Sequence, residues 1–202
     1  MADAKNVSTG KPKVGGAVFV APLGTTLPTD ATTALGSAFK DLGYCSEDGM
    51  TNANTGETTE VREWGGNVVD NPQTSFSDSF KLKLIESLNL DVLKTVYGED
   101  NVTGALSTGI TVTATSEEKL PVVLVVDMIL RDGALKRIVV PEAKLTEMAE
   151  IAYKRDDTVG YDCTFKAAPY SGYNGGYHRE YIIRSSSQVS DGTSGSGTGT
   201  GN

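Results

Sequence analysis

The chain has 202 residues, enough for one domain with a sizeable core, and carries a formal net charge of −8. Such acidity argues against a surface that grips nucleic-acid phosphates, because that needs clustered lysine and arginine, but it allows contact with DNA that slides past. The strongest apolar run, VVLVVDMIL, is interrupted by Asp127 and is too short to span a bilayer, and the first residues lack a signal-peptide core. We therefore expect a soluble protein that folds in the cytoplasm and does not insert into membranes.

The first 13 residues are small, polar and mildly basic, which is typical of a flexible N-terminal arm. The stretch GAVFVAP at 16–22 predicts a strand, and a loop rich in glycine, proline and threonine follows it. The next stretch, GYCSEDGMT at 43–51, predicts the end of a strand. The stretch of about 47–60 has almost no apolar residue that could join a core, so we predict a long polar loop between strands there.

Strand character resumes around Trp64, with a bend at Gly65 and Gly66. The segment SFSDSFKLKLIES alternates apolar and polar residues, which predicts a strand with one buried and one solvated face. The segment NLDVLKTVYG then predicts one short amphipathic helix, because Asn89 can cap it and Gly98 can end it. Its apolar positions at helical spacing are Leu90, Leu93 and Tyr97.

The second half is almost wholly β, with a predicted turn at Asp132 and Gly133 and a predicted break at Pro141. In GYDCTFKAAP, Cys163 alternates onto the same face as Tyr161 and Phe165 and is therefore expected in the core. We predict a mainly β, two-sheet β-sandwich with one flanking α-helix over residues 14–184. Residues 185–202, rich in serine, glycine and threonine, are predicted to be a disordered tail.

The residue types that carry catalysis are scarce. The sole histidine is His178, and no GxSxG motif supplies a nucleophilic serine for which it could act as the base. Cys45 lies among acidic residues, which raise rather than lower the pKa of a thiol. Glu47 and Asp48 lack the alternating oxygen ligands of a calcium loop, and with two cysteines there is no CxxC pair or disulfide framework. No phosphate-binding glycine motif occurs. We expect no catalytic, cofactor or metal site, and hence no enzyme.

The tyrosines near the C-terminus raise a different possibility. Tyr170, Tyr173 and Tyr177 could stack on sugars, which would make the chain a monomeric carbohydrate-binding β-sandwich. Tyrosine-rich segments equally suit protein–protein contacts, and we favour that interpretation.

Three stretches, taken in order and spacing, carry a family resemblance. They are DLGYCSEDGMTNANTGETTEVREWGGNVVDN at 41–71, LNLDVLKTVYGEDNV at 88–102 and RIVVPEAKLTEMAEIAYKRDDTVGYDCTF at 137–165. Together they resemble the major tail proteins, or tail tube proteins, of long-tailed, siphovirus-like bacteriophages. The likeness runs from about Val14 to Arg184. A tube ring of a contractile injection or secretion apparatus is the related alternative.

The resemblance implies a structural subunit of the virion tail. Copies would form hexameric rings that stack into a hollow tube, and double-stranded DNA would leave through it without specific binding. Tape-measure, tail-tip and tail-terminator proteins are the other implied partners. Acidic residues facing the lumen would repel phosphates and help DNA transit.

Two sets of residues are candidates for these roles. The loop that reaches a neighbouring subunit is expected to use Glu47, Asp48, Met50, Asn52, Asn54 and Glu57. The carboxylates expected to project into water at the lumen are Asp127, Glu142, Glu147, Glu150 and Asp162.

Overall fold

The computed structural model describes residues 2–13 and 16–184, which form a mainly β fold with a single α-helix. The predicted fold class is confirmed, while the predicted tail at 185–202 lies outside the described residues. The strands are β1 (Lys11–Pro12), β2 (Val18–Pro22), β3 (Lys40–Asp41), β4 (Cys45–Thr58), β5 (Val61–Arg62), β6 (Val68–Asp70), β7 (Gln73–Leu84), β8 (Val102–Ala105), β9 (Gly109–Val112), β10 (Val122–Ile129), β11 (Leu135–Met148), β12 (Tyr161–Ala167) and β13 (Arg179–Ile183). The helix is α1 (Leu90–Tyr97), and single 3-10 turns lie at Ala4–Asn6, Glu99–Asn101, Arg131–Gly133 and Ser171–Tyr173.

Nine strands form one antiparallel sheet. Its path runs β3, β2, β10, β11, β12, β7, β4, while β1 pairs with the end of β10 beyond β2 and β13 pairs with β11. The pairs β5/β6 and β8/β9 are separate two-stranded hairpins. The segment before β1, predicted as an N-terminal arm, contacts the body: the Arg131 guanidinium donates to the Ala4 carbonyl (3.1 Å), and the Arg131 N–H donates to the Ser8 hydroxyl (2.7 Å).

The sheet curls until its two edges almost meet. β3 lies at one edge and β4 at the other, yet only residues 42–44 connect them, so Asp41 and Cys45 lie within about 14 Å of each other. The Leu42 N–H donates to the Val18 carbonyl of β2, and the Tyr44 carbonyl accepts from Ile85 at the end of β7. The two predicted sheets are therefore the two halves of one continuous sheet.

The main core lies on the inner face of this curled sheet. Alternating residues of β2, β10 and β11 meet those of β12 and β7, which confirms the predicted burial of Cys163. The helix packs on the same core through Val92, Leu93 and Val96. Its start and end follow the sequence signals: the Asn89 side chain accepts from the Asp91 N–H (2.9 Å), and Gly98, at a φ of 104°, ends it.

A smaller second core lies on the opposite face of β2, β10 and β11, beneath the loop at 23–39. Ala21, Val123, Val125 and Val139 form it, and residues of that loop pack against it. Beside them Arg137 is buried and makes a two-pronged ion pair with Asp127 (2.6 and 2.8 Å). The hydrogen bonds to Asp127 raise the pKa of Arg137, so this guanidinium stays charged inside the fold.

Three local predictions are wrong. The stretch at 43–51 does not end a strand, because β4 begins there at Cys45. Residues 47–60 are not a loop, because most of them belong to β4, which pairs in antiparallel register with β7 as an edge strand. An edge strand with both faces exposed needs no apolar alternation, so the sequence pattern misses it. Pro141 does not interrupt β11, since it falls at a register shift between β10 and β11 where a missing N–H is tolerated.

Candidate functional site

A long β-hairpin protrudes from the body of the molecule. It consists of residues 53–76, which we call the hairpin arm, and every one of them is exposed. β4 and β7 pair continuously from Ala53 opposite Ser79 to Glu57 opposite Ser75, a length of about 17 Å. Within the described residues β4 pairs only with β7, so its other edge offers free backbone N–H and C=O groups.

The β4 edge lacks the usual protection against pairing with another strand. Such edges are commonly blocked by lysine, proline or an inward charge, but β4 contains no lysine, arginine or proline. The pairing of β4 with β7 shifts register twice: at a bulge over 46–49, where Cys45 lies opposite Leu84 and Met50 already lies opposite Leu82, and between Glu57 and Thr58. Between these two shifts, from Met50 to Glu57, the edge is regular and polar, and thus suits pairing with a second chain.

The tip of the hairpin arm, residues 59–72, holds Trp64 in water. Its side chain is 103% exposed, and Val61, Val68 and Val69 nearby are also exposed. Hydrogen bonds brace the turn beneath it, because the Glu63 carboxylate accepts from the Gly65 N–H (2.9 Å) and from the Asn67 side-chain amide (2.7 Å). These hydrogen bonds lower the pKa of Glu63. The indole itself faces water.

A buried polar cluster fixes the base of the hairpin arm. Asp78 on β7 is 1% exposed, accepts from the Asn52 side-chain amide (2.7 Å) and lies 2.5 Å from His178 Nδ1. The His178 ring also meets the Phe80 ring edge-on, and the neighbouring Tyr177 packs on Phe76 at 4.9 Å between ring centroids. The segment before β13 is thereby tied to the root of the hairpin arm.

The structure divides the six residues predicted for subunit contacts into two groups. Met50 packs against the main core and Asn52 is engaged by Asp78, so both support the base of the hairpin arm. The remaining four are exposed along the β4 edge and its bulge, namely Glu47, Asp48, Asn54 and Glu57. Their role in contacts between subunits stays a prediction.

A protruding hairpin with an unprotected edge and an apolar tip is what a self-assembling subunit needs, and comparison with known families agrees. Residues 11–176 match the family described as phage tail tube protein. The chain belongs to the phage tail tube protein family. No curated protein matches it significantly. The family implies that this tail tube protein assembles with itself into a tube and is located in the virion tail. No helix among residues 2–13 and 16–184 is long and apolar enough to cross a membrane.

One of the five carboxylates expected at the lumen is misplaced. Asp127 of the tail tube chain does not project into water: it is 4% exposed, paired with Arg137 and approached by Lys13 at 3.4 Å. A carboxylate at this position on β10 falls on the face covered by the loop at 23–39, and the second core therefore encloses it.

The other four carboxylates lie at the surface or are half-buried. Glu147 and Glu150 are exposed, Glu142 is half-buried, and Asp162 is half-buried beside Lys81 (3.2 Å). Asp162 shares the outer face of β12 and β7 with three lysines, Lys81, Lys83 and Lys166. This face is therefore of mixed charge, and the ion pair with Lys81 offsets the charge of Asp162.

The tyrosines proposed for sugar stacking pack within the tail tube chain itself. The Arg179 guanidinium covers the face of Tyr173 at 3.9 Å from the ring centroid, and Tyr170 meets Tyr173 edge-on at 5.3 Å. Tyr177 packs on Phe76. Because the ring faces of Tyr173 and Tyr177 are occupied, they do not form an open platform for a sugar.

The two thiols are packed rather than poised for reaction. Burial raises the pKa of Cys45 to about 11 and that of Cys163 to about 12. No cluster of three or more metal-ligating side chains occurs among residues 2–13 and 16–184. His178 has a carboxylate partner, Asp78, in a contact that ties two segments together.

Sequence reasoning missed three features of the site. The Asp78–His178 contact joins residues a hundred positions apart, and no local pattern signals it. The Arg137–Asp127 pair had a signal, because a hairpin centred on Asp132 places positions 127 and 137 opposite each other. Trp64 was assigned to a strand-like stretch, whereas it lies fully exposed in the turn between β5 and β6.

Proposed function

We propose that copies of this chain form closed hexameric rings that stack into a hollow phage tail tube, and that double-stranded DNA passes through the tube during ejection. The observation that carries the proposal is the hairpin arm, whose exposed residues, free β4 edge and apolar tip have no counterpart in a self-sufficient monomer. The family match gives it the context of a tube. Other partners in the tail would be tape-measure, tail-tip and tail-terminator proteins.

The geometry supports a head-to-tail mode of association. In a ring, the hairpin arm of one copy would contact a different surface of the next copy, which makes the contact heterologous. A heterologous contact gives a ring when the rotation closes and an open stack when it does not. Both kinds of contact are needed in a tube built from rings. The subunit, folded in the host cytoplasm, would then assemble without further chemistry.

The charge of the chain supports the role of a conduit. With a formal net charge of −8, the assembled protein repels phosphates on average, so duplex DNA passes without being retained. Glu142, Glu147, Glu150 and Asp162 remain the proposed carboxylates of the lumen. Among them Glu147 and Glu150 are the stronger candidates because both are exposed and neither forms an ion pair in the described structure.

The proposal is tested by negative-stain electron microscopy and light-scattering mass over a concentration series. We expect rings or hollow tubes of the natural protein. The matched variant replaces residues 59–72 by Asn-Gly, which closes the β4/β7 hairpin after Thr58 and before Gln73 with a two-residue turn. Because the tip contributes nothing to either core, this variant should stay folded and remain monomeric.

Two results would count against the proposal. A natural protein that stays monomeric at every concentration does not behave as a self-assembling subunit. Tubes formed equally well by the shortened variant would show that the tip of the hairpin arm takes no part in assembly.

A further inference from the structure

The loop at 23–39 contains a pocket to which the proposed function assigns no role. It is a half-open depression of about 440 Å³, lined by residues of the loop itself. Leu27, Pro28, Leu35 and Phe39 give it an apolar lining, and threonine hydroxyls lie among them. The pocket is therefore suited to a large apolar group that also carries a hydrogen-bond donor.

Buried interactions hold this loop in place. The Arg137 guanidinium, already fixed by Asp127, donates to the carbonyls of Asp30 (3.1 Å) and Thr33 (2.8 Å). The Asp30 carboxylate in turn accepts from the Thr33 hydroxyl and from the N–H groups of Thr33 and Thr32 (2.6 Å each), and these bonds lower its pKa well below the usual range. Leu27, Leu35 and Phe39 pack on the second core from above. A pocket held in this way loses little conformational entropy when it is filled.

The tip of the hairpin arm offers a matching group. Trp64 is fully exposed, and the Glu63 carboxylate fixes the turn that presents it. An indole is a large apolar body with a single N–H donor, and a buried indole N–H usually finds an acceptor. The threonine hydroxyls of the pocket can supply that acceptor. Tryptophan is also the residue type most enriched among those that dominate binding energy at interfaces.

We propose that Trp64 of one copy inserts into the pocket at 25–39 of a second copy. The inference rests on the proposed function, because it assigns the partner surface of the same hairpin arm. Both halves of the contact are preorganised, and they lie on different parts of the chain. Such a contact joins two different surfaces and is therefore heterologous. After two copies bind, one still has an unbound Trp64 and the other an empty pocket, so assembly can continue.

The chain provides its own reporter, because Trp64 is the only tryptophan. Its fluorescence emission should shift to shorter wavelength when tubes form, since the indole leaves water. Substitution of Trp64 by serine should raise the protein concentration needed for assembly by about tenfold or more, and Trp64→Phe, which keeps the ring but loses the N–H, should raise it less. Monomer unfolding should not change in either variant, because Trp64 contacts neither core.

A second test changes the pocket instead of Trp64. The substitution Ala34→Phe places an aromatic ring at the pocket lining. The matched control is Ala114→Phe, another exposed alanine, which lies outside the pocket. We expect Ala34→Phe to raise the assembly concentration as Trp64→Ser does, and the control to assemble as the natural protein does. A combination of Trp64→Ser with Ala34→Phe should be no worse than either change alone.

The outcomes separate this inference from the proposed function. Natural tubes whose Trp64 emission stays that of a water-exposed indole would overturn the insertion while leaving the tube intact. A shifted emission together with normal assembly of Ala34→Phe would show that Trp64 is buried elsewhere and would overturn the assignment of the pocket. Failure of the natural protein to assemble at any concentration would refute the proposed function and the inference with it.

Discussion

In this tail tube protein the strands β4 and β7 run from the body into the hairpin arm, and the burial of their side chains differs between these two regions. From Leu84 back to Phe80, β7 alternates buried leucine and phenylalanine with lysine. From Phe76 outward, the same strand and its partner β4 have no buried residue. The comparison teaches that the body is stabilised by its own core, whereas the hairpin arm keeps its shape through backbone pairing and has no core of its own.

The largest loss of stability is expected when the buried guanidinium of Arg137 is removed from the body. Arg137→Met leaves Asp127 buried without its main partner, so we expect the free energy of unfolding to fall by about 3–5 kcal/mol. Urea titration of the monomer measures it. The double variant Asp127→Leu with Arg137→Met removes both charges and should recover most of that loss. A double variant no more stable than the single one would show that the loop contacts of Arg137, rather than the charge, dominate.

The same chemical change made in both regions should give very different results. Phe165→Ala opens a cavity in the main core, where Phe165 is 1% exposed, and should cost about 3–5 kcal/mol. Phe76→Ala removes only the packing on Tyr177 and should cost about 1 kcal/mol. Thermal unfolding of the two monomers compares them. Equal losses would contradict the division between a self-sufficient body and a hairpin arm that relies on neighbours.

A smaller effect is expected at the junction of the two regions. Asp78→Asn weakens the charge-assisted contact with His178, which should lower the free energy of unfolding by about 1.5–3 kcal/mol. A double-mutant cycle with His178→Asn isolates the coupling between the two side chains. Additive losses would mean that Asp78 acts through Asn52 and not through His178.

Much of the body could be predicted because its signals are local. The helix has its cap at Asn89 and its end at Gly98, and the alternation in SFSDSFKLKL and GYDCTF gives the buried face of β12 and, from Asp78 onward, that of β7. The hairpin arm was misjudged because its strand β4 is defined by pairing with β7, about 25 residues away, and not by its own side chains. Asp127 was placed in water for a related reason, since its partner and the covering loop both come from elsewhere in the chain.

The pairing of strand β11 has a consequence for the stiffness of the subunit. Its 14 residues pair with β10, β12 and β13, so a single strand runs through both halves of the curled sheet, while residues 42–44 link the two edges. The halves therefore cannot slide or open without breaking many backbone hydrogen bonds at once. We therefore expect each subunit of a tube to be stiff, so that bending of the tail would occur at the contacts between subunits.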